Sequence, residues 1–244
     1  MKVLGVIHAR YQSTRLPGKP LADICGKPMV WWVYQQCIKA KKLNKICVAT
    51  DDKRIADVCN NYEIPIVMTE KSHLTAAHRL QEVSTKIEMD FYVQINGDEP
   101  LIDPELIDLL IPDNMPLDIE FGTNIVAKMS QPVEVLDASN IKVVFDTNMK
   151  MIYMSRIPIP YPFNTLEFEY YKHVGIIGYN KKMLDFYANT IPGHLESIEG
   201  IDTLRFIDYG KFLFCMETQK HNSLSIDTPK DLERVKKMIK MKSQ

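Results

Sequence analysis

The chain lacks a net field of charge. Its 30 Lys and Arg residues against 31 Asp and Glu leave a formal charge of -1 over 244 residues, which excludes whole-chain attraction to DNA or to an anionic membrane. Any affinity for phosphate must therefore be local. Five cysteines (Cys25, Cys37, Cys47, Cys59 and Cys215) form no Cys-x-x-Cys pair, and an odd number cannot all close into disulfides. That points to a reducing compartment. No apolar run approaches the ~18 residues of a membrane span, and the opening residues lack the basic, apolar and small-residue progression of a secretory leader. A cytoplasmic protein with no nucleic-acid and no membrane partner is expected. The patterns GxGxxG and GxxxxGK[ST] are missing, which argues against a dinucleotide fingerprint and a Walker-type phosphate loop. No His-Glu-x-x-His or Cys/His zinc spacing occurs, and there is no internal repeat.

What is present is an ordinary globular composition, 45% hydrophobic and 25% charged, long enough for one domain carrying a lobe. Strand-like and helix-like patterns alternate. Strands are expected at Val3–Ile7, Lys45–Ala49, Ile64–Met68 and Phe91–Ile95, and helices at Pro28–Lys39, Asp52–Tyr62 and Thr75–Glu88. This βαβ alternation predicts an α/β fold, a mostly parallel sheet with helices on both faces. Residues 141–145 and 149–154 flank a polar turn and predict a hairpin, while Ile157–Phe163 carries three prolines and is no regular element. A single domain over 1–244 is expected, with a β-rich lobe or dimerisation arm at roughly 121–180. Further helices are expected at Ile198–Gly210 and Lys230–Lys242.

Ligands of such sheets collect at the carboxyl ends of the strands, and two loops fall there. The first, after Val3–Ile7, holds Arg10, Arg15 and Lys19 with the Ser13 and Thr14 hydroxyls, a set suited to polyphosphate because fixed cations and hydroxyl donors neutralise and orient phosphate oxygens. Its alternative is a solvated turn. The second is Asn96-Gly97-Asp98-Glu99-Pro100, where Asp98 sits at a sharp turn and suits a divalent ion such as Mg²⁺; the alternative is an aspartate capping the helix near Pro104. Asp227 is a second acidic candidate. It or Thr228 can cap the helix that Pro229 begins, a role compatible with metal binding. The basic run Arg234–Lys240 reads as a solvated helix face.

The stretch Ala9-Arg10-Tyr11-Gln12-Ser13-Thr14-Arg15-Leu16-Pro17-Gly18-Lys19-Pro20-Leu21, followed by Ile24-Cys25-Gly26-Lys27-Pro28-Met29, closely resembles the opening of the CMP-Kdo synthetases, the 3-deoxy-manno-octulosonate cytidylyltransferases. Similar blocks continue along nearly the whole chain, among them Ala49-Thr50-Asp51-Asp52, Gly97-Asp98-Glu99-Pro100, Ser155-Arg156, His173-Val174-Gly175-Ile176, Leu195-Glu196 with Glu199, and Asp227-Thr228-Pro229. The resemblance implies a Rossmann-like nucleotidyltransferase fold with a smaller dimerisation lobe and therefore a homodimer. It also implies Mg²⁺ dependence, and transfer of CMP from CTP to a 2-keto sugar acid with release of pyrophosphate, within lipopolysaccharide or capsule biosynthesis. By the same resemblance Arg10, Lys19, Asp98 and Asp227 are catalytic, with Asp98 and Asp227 holding the metal. Ala9, Arg10, Ser13, Arg15, Lys19, Thr75, Asn96 and Asp98 bind the nucleotide. Asn96, His78, Arg79, Arg156, His173, Glu196 and Glu199 bind the acidic sugar.

The departures from the family pattern cluster. His8 stands where the family has proline, Asn96 where it has glutamine, and Thr75-Ala76-Ala77-His78-Arg79 where it has Ser-Gly-Thr-Glu-Arg. Two readings follow: drift at an unchanged Kdo enzyme, or a different acceptor such as another carboxylate, an amino-substituted ulosonate or a phosphonate. A third, a nucleotide-binding regulatory protein without turnover, conflicts with retention of Arg10, Arg15, Lys19, Asp98 and Asp227.

Overall fold

Val3–His8 forms a strand because its first five residues are apolar on both faces, the pattern of a strand covered on both sides, and all five are buried. The computed structural model describes residues 1–13, 15–165, 168–219 and 224–242; Thr14, one of the expected phosphate-loop hydroxyls, lies outside them. Along the chain the strands are β1 (Val3–His8), β2 (Asp23–Ile24), β3 (Lys27–Pro28), β4 (Lys45–Thr50), β5 (Ile66–Met68), β6 (Phe91–Asn96), β7 (Gly122–Lys128), β8 (Lys142–Phe145), β9 (Met151–Ser155), β10 (Tyr171–Asn180) and β11 (Phe214–Thr218). The helices are α1 (Met29–Cys37), α2 (Lys53–Asn61), α3 (Ala76–Lys86), α4 (Pro104–Leu110), α5 (Pro132–Leu136), α6 (Lys181–Ala188), α7 (His194–Glu199), α8 (Leu204–Asp208) and α9 (Pro229–Lys242). The chain divides into two units, Met1–Asp108 with Asn222–Gln244, and Leu109–His221.

In the first unit β6, β1, β4 and β5 pair in that order, every pair parallel, as the alternation predicts. The register sets His8 beside Ala49 on one side and Asn96 on the other, so three strands end level at one edge. α2 starts where the Asp52 carboxylate accepts from Arg54 N, and it buries Ile55, Ala56 and Cys59. α3 starts at Thr75, whose hydroxyl accepts from His78 N. α9 is opened by a reciprocal cap. Thr228 Oγ1 accepts from Asp231 N at 3.3 Å while Asp231 Oδ2 accepts from Thr228 N at 2.9 Å. Its apolar stripe, Val235 and Ile239, closes on Ile24, Met29 and Ile226, with Leu16, Trp32 and Leu101 packed around them.

In the second unit β10 pairs antiparallel with β7, and β11 runs parallel to β7. β8 and β9 form the expected hairpin, closed by Asp146 Oδ1, which accepts from Asn148 N and Lys150 N. Ile157–Phe163 has no regular element. The single helix expected over Ile198–Gly210 is not there: α7 ends at Gly200, whose φ of 62° is left-handed, and α8 begins afresh at Leu204. A glycine able to take that conformation terminates a helix by turning the chain off its axis.

Candidate active site

At the level edge of β1, β4 and β6 the chain after β6 turns against the end of β1. A Cβ on Gly97 would lie 2.2 Å from the His8 carbonyl oxygen, so no larger residue fits. Asp98 follows directly. Its carbonyl accepts from Ile226 N at 2.9 Å, which ties the segment before α9 to this turn and brings in Asp227. The basic loop is folded back on itself by Gly18 N to Tyr11 O at 3.0 Å and Lys19 N to Leu16 O at 3.1 Å, with Ser13 Oγ accepting from Leu16 N at 3.3 Å. Lys19 Nζ then donates to Asp98 Oδ2 at 2.6 Å and to Asp227 Oδ1 at 3.1 Å, and Arg15 Nη2 donates to the same Asp227 oxygen at 2.9 Å. The side chains grade outward, from Lys19 at 14% exposed through Asp98 at 24% and Asp227 at 34% to Arg15 at 66%. Burial pulls the Lys19 pKa down, but the two carboxylates more than reverse this and leave it raised. Asp98 Oδ1 is buried and has no hydrogen-bond partner.

A second group of charges stands beside it. Arg79 is fully buried; its Nη2 donates to Asp51 Oδ2 at 3.1 Å, Nη1 donates to Thr69 Oγ1, and Nε has no partner. Burial and then the Arg79 charge lower the Arg10 pKa, and Asp51 opposes them. The Arg10 guanidinium makes no hydrogen bond among the described residues. Ala9 is buried, with its N–H on Ala49 O at 3.0 Å. Both ring nitrogens of His8 are buried without partners, and burial, Arg79 and Arg10 push its pKa down to about 3, so the ring is neutral at physiological pH. Asn96 Nδ2 donates to Glu99 Oε1 at 3.1 Å. The Thr75 hydroxyl, besides capping α3, lies 2.9 Å from His78 Nδ1.

The other sequence-derived candidates belong to the second unit. Glu196 forms a two-pronged ion pair with Arg205, both distances 2.7 Å. Glu199 accepts from Ser155 Oγ at 2.6 Å and from Arg156 N at 3.0 Å. The Arg156 guanidinium donates to the carbonyls of Glu199, Ala138 and Gly200. His173 Nδ1 lies 2.6 Å from Asn124 Oδ1. Sequence reasoning did not single out Asp51 or Glu99 as site residues, although each holds a candidate side chain in place. The usable signal was the demand of a buried arginine for a counter-charge.

Chains already known resemble this one along its full length. The model of the cytidylyltransferase family matches residues 4–213. A 3-deoxy-manno-octulosonate cytidylyltransferase of Fusobacterium nucleatum is 40% identical over 244 residues, 98% of each chain. An 8-amino-3,8-dideoxy-manno-octulosonate cytidylyltransferase of Shewanella amazonensis is 35% identical, over 99% of this chain and 100% of the relative. Among solved structures, CMP:2-keto-3-deoxy-manno-octonic acid synthetase complexed with CTP superposes with a TM-score of 0.91 at 34% identity, covering 99% of this chain and 100% of that one.

Proposed function

Because this chain belongs to the cytidylyltransferase family and has its Rossmann-like nucleotidyltransferase fold, we propose that it transfers CMP from CTP to 3-deoxy-manno-octulosonate or a close 2-keto sugar acid, releasing pyrophosphate. The observation that carries this reading is the convergence of Arg15, Lys19, Asp98 and Asp227 at the strand edge, in a chain that matches octulosonate cytidylyltransferases from end to end.

Transfer of this kind rests on positioning and charge neutralisation more than on covalent work by the protein. Arg10, which has no anion hydrogen-bonded to it among the described residues, is available to a triphosphate oxygen, and Arg15 and Lys19 are the further cations of the same loop. Ser13 and Thr75 offer hydroxyls, and the neutral His8 ring keeps Arg10 and Arg79 free of a third positive charge. On the acceptor side Asn96, His78 and Arg79 of the first unit are the proposed recognition groups.

The donor set at Asp98 and Asp227 fits a divalent ion. Asp98 Oδ1 is a buried, unpartnered hard oxygen, and Mg²⁺ takes one or two carboxylates together with phosphate oxygens and water. Bound there by Asp98 and Asp227, Mg²⁺ would supply charge neutralisation and a lowered pKa for the attacking hydroxyl. The working form is read as a cytoplasmic homodimer on the strength of the family resemblance; among the described residues no helix is long and apolar enough to cross a membrane.

The reading is tested by Mg²⁺-dependent pyrophosphate release from CTP, with 3-deoxy-manno-octulosonate, its 8-amino analogue, a nine-carbon ulosonate and a phosphonate as acceptors. Turnover is expected with the octulosonates. Activity with the phosphonate alone would replace the acceptor and leave the nucleotide chemistry standing.

A further inference from the structure

Four charged groups of the proposed phosphate and metal site neutralise one another internally. Lys19 Nζ sits between Asp98 Oδ2 and Asp227 Oδ1, and Arg15 shares the second of these oxygens. Two cations thus face two carboxylates with a formal sum of zero. A divalent ion that takes both carboxylates must push the Lys19 ammonium aside. A triphosphate that draws Lys19 and Arg15 onto its oxygens must in turn leave Asp98 and Asp227 bare beside new negative charge. Either ligand alone breaks ion pairs without replacing them, and in a half-buried setting an uncompensated charge is costly. Both together exchange every partner at once: the metal takes the carboxylates, and the phosphates take the cations. Arg10 stands outside this exchange because among the described residues it is paired with no carboxylate.

Resting on the metal assignment above, we propose that Lys19 is an internal counterion of the Asp98 and Asp227 pair, which makes divalent metal and triphosphate bind with strong positive coupling and disfavours either alone. Lys19 is in this respect a positioning residue, holding the two carboxylates together until their ligand arrives. The coupling is reciprocal, since linkage requires metal to tighten nucleotide by the same factor as nucleotide tightens metal.

Two titrations test it. Mn²⁺ binding to the nucleotide-free protein, followed by electron paramagnetic resonance, is expected to be ~10-fold tighter in Lys19→Met and Lys19→Gln than in the wild type, within the usual span of coupling between sites. Arg15→Met, which leaves Lys19 on the shared Asp227 oxygen and on Asp98, gives a smaller gain. Adding Asp98→Asn to Lys19→Met should erase the gain. In calorimetric CTP titrations with and without Mg²⁺, the ratio of affinities should shrink in the Lys19 variants and stay at its wild-type value in Arg10→Met, which weakens CTP equally in both conditions. Circular dichroism checks that each variant is folded, and agreement between Met and Gln guards against a packing artefact. Unchanged or weaker Mn²⁺ binding in both Lys19 variants overturns the counterion role, as does a gain that survives Asp98→Asn. If Mn²⁺ held by the CTP-loaded wild type is indifferent to Asp98→Asn and Asp227→Asn, the metal assignment falls and the counterion role with it. If that Mn²⁺ depends on both carboxylates while the Lys19 variants gain nothing, only the counterion role falls.

Discussion

The Asp98 and Asp227 cluster of the first unit and the Glu196 and Glu199 carboxylates of the second are used in opposite ways. In the second, Glu196 and Arg205 are both buried and paired through two bonds; Arg205 also donates to the carbonyls of Tyr187 and Thr190 and stacks on the Tyr187 ring, 4.0 Å from its centroid. Glu199 has both oxygens engaged, by Ser155 and by the Arg156 backbone. In the first unit one Asp227 oxygen serves two cations, Asp98 Oδ1 serves none, and the cluster is part-exposed. A saturated, buried set of charges has no reason to change partners, because each bond broken leaves a group unpaired in a low dielectric. An unsaturated set at a strand edge does. Saturation therefore separates charges that hold the fold from charges that await a ligand.

The comparison breaks first at the acid pair. Asp98→Asn and Asp227→Asn keep side-chain volume and remove charge, so CMP transfer should fall by ~10³-fold or more, over about 4 kcal/mol of transition-state stabilisation, with the urea midpoint at its wild-type value. Wild-type rates in both variants would end the metal assignment. Glu196→Gln should do the reverse: removing one partner of a buried ion pair costs about 3–5 kcal/mol of stability, read as a drop in the urea midpoint. If its stability is unchanged, saturation is not a marker of structural charge.

His8 sharpens the contrast through pH. Its folded-state pKa is about 3, below the ordinary 6.5, so between those values the unfolded chain takes up a proton that the folded chain refuses. Stability is therefore undiminished above pH 6.5 and is lost as pH falls toward 3, by at most about 1.4 kcal/mol per pH unit from this group. Urea midpoints of His8→Asn should show a flatter slope between pH 6.5 and 5; the wild-type slope in that variant would assign the acid sensitivity elsewhere. The smallest effect is expected at Arg15→Lys, which keeps the charge and loses the planar fork. A ~10-fold fall in kcat/KM for CTP, about 1.4 kcal/mol, is expected. Unchanged kinetics would make Arg15 a surface charge.

The parallel half of the fold was legible because doubly covered strands are apolar throughout, as in Val3–Ile7 and Phe91–Ile95, and because caps such as Asp52 sit where a helix must start. The helix expected at Ile198–Gly210 failed for one residue: Gly200 is tolerable inside a helix by pattern, and only its backbone conformation shows that it ends one. In the site, Asp98 and Asp227 were readable as single carboxylates, but not their meeting on one ammonium, which depends on the bond from Ile226 N to Asp98 O. Nor was the division of labour after residue 226. Thr228 caps α9 with Asp231, which leaves the Asp227 carboxylate to Arg15 and Lys19. Asp51 and Asp52 stand side by side in sequence; Asp52 caps a helix while Asp51 balances Arg79.

The clasp of α9 against the opening loop has a consequence for synthesis. Lys19 and Asp227 are 208 positions apart, so at roughly 5–20 residues per second the ribosome delivers the second about 10–40 s after the first. Through that interval the nascent chain carries loop cations without their second carboxylate, and Leu16, Ile24 and Met29 lack the cover of Ile226, Val235 and Ile239. Chemistry and burial are completed by the same late segment. A translation arrest short of it leaves a chain that is both inert and adhesive.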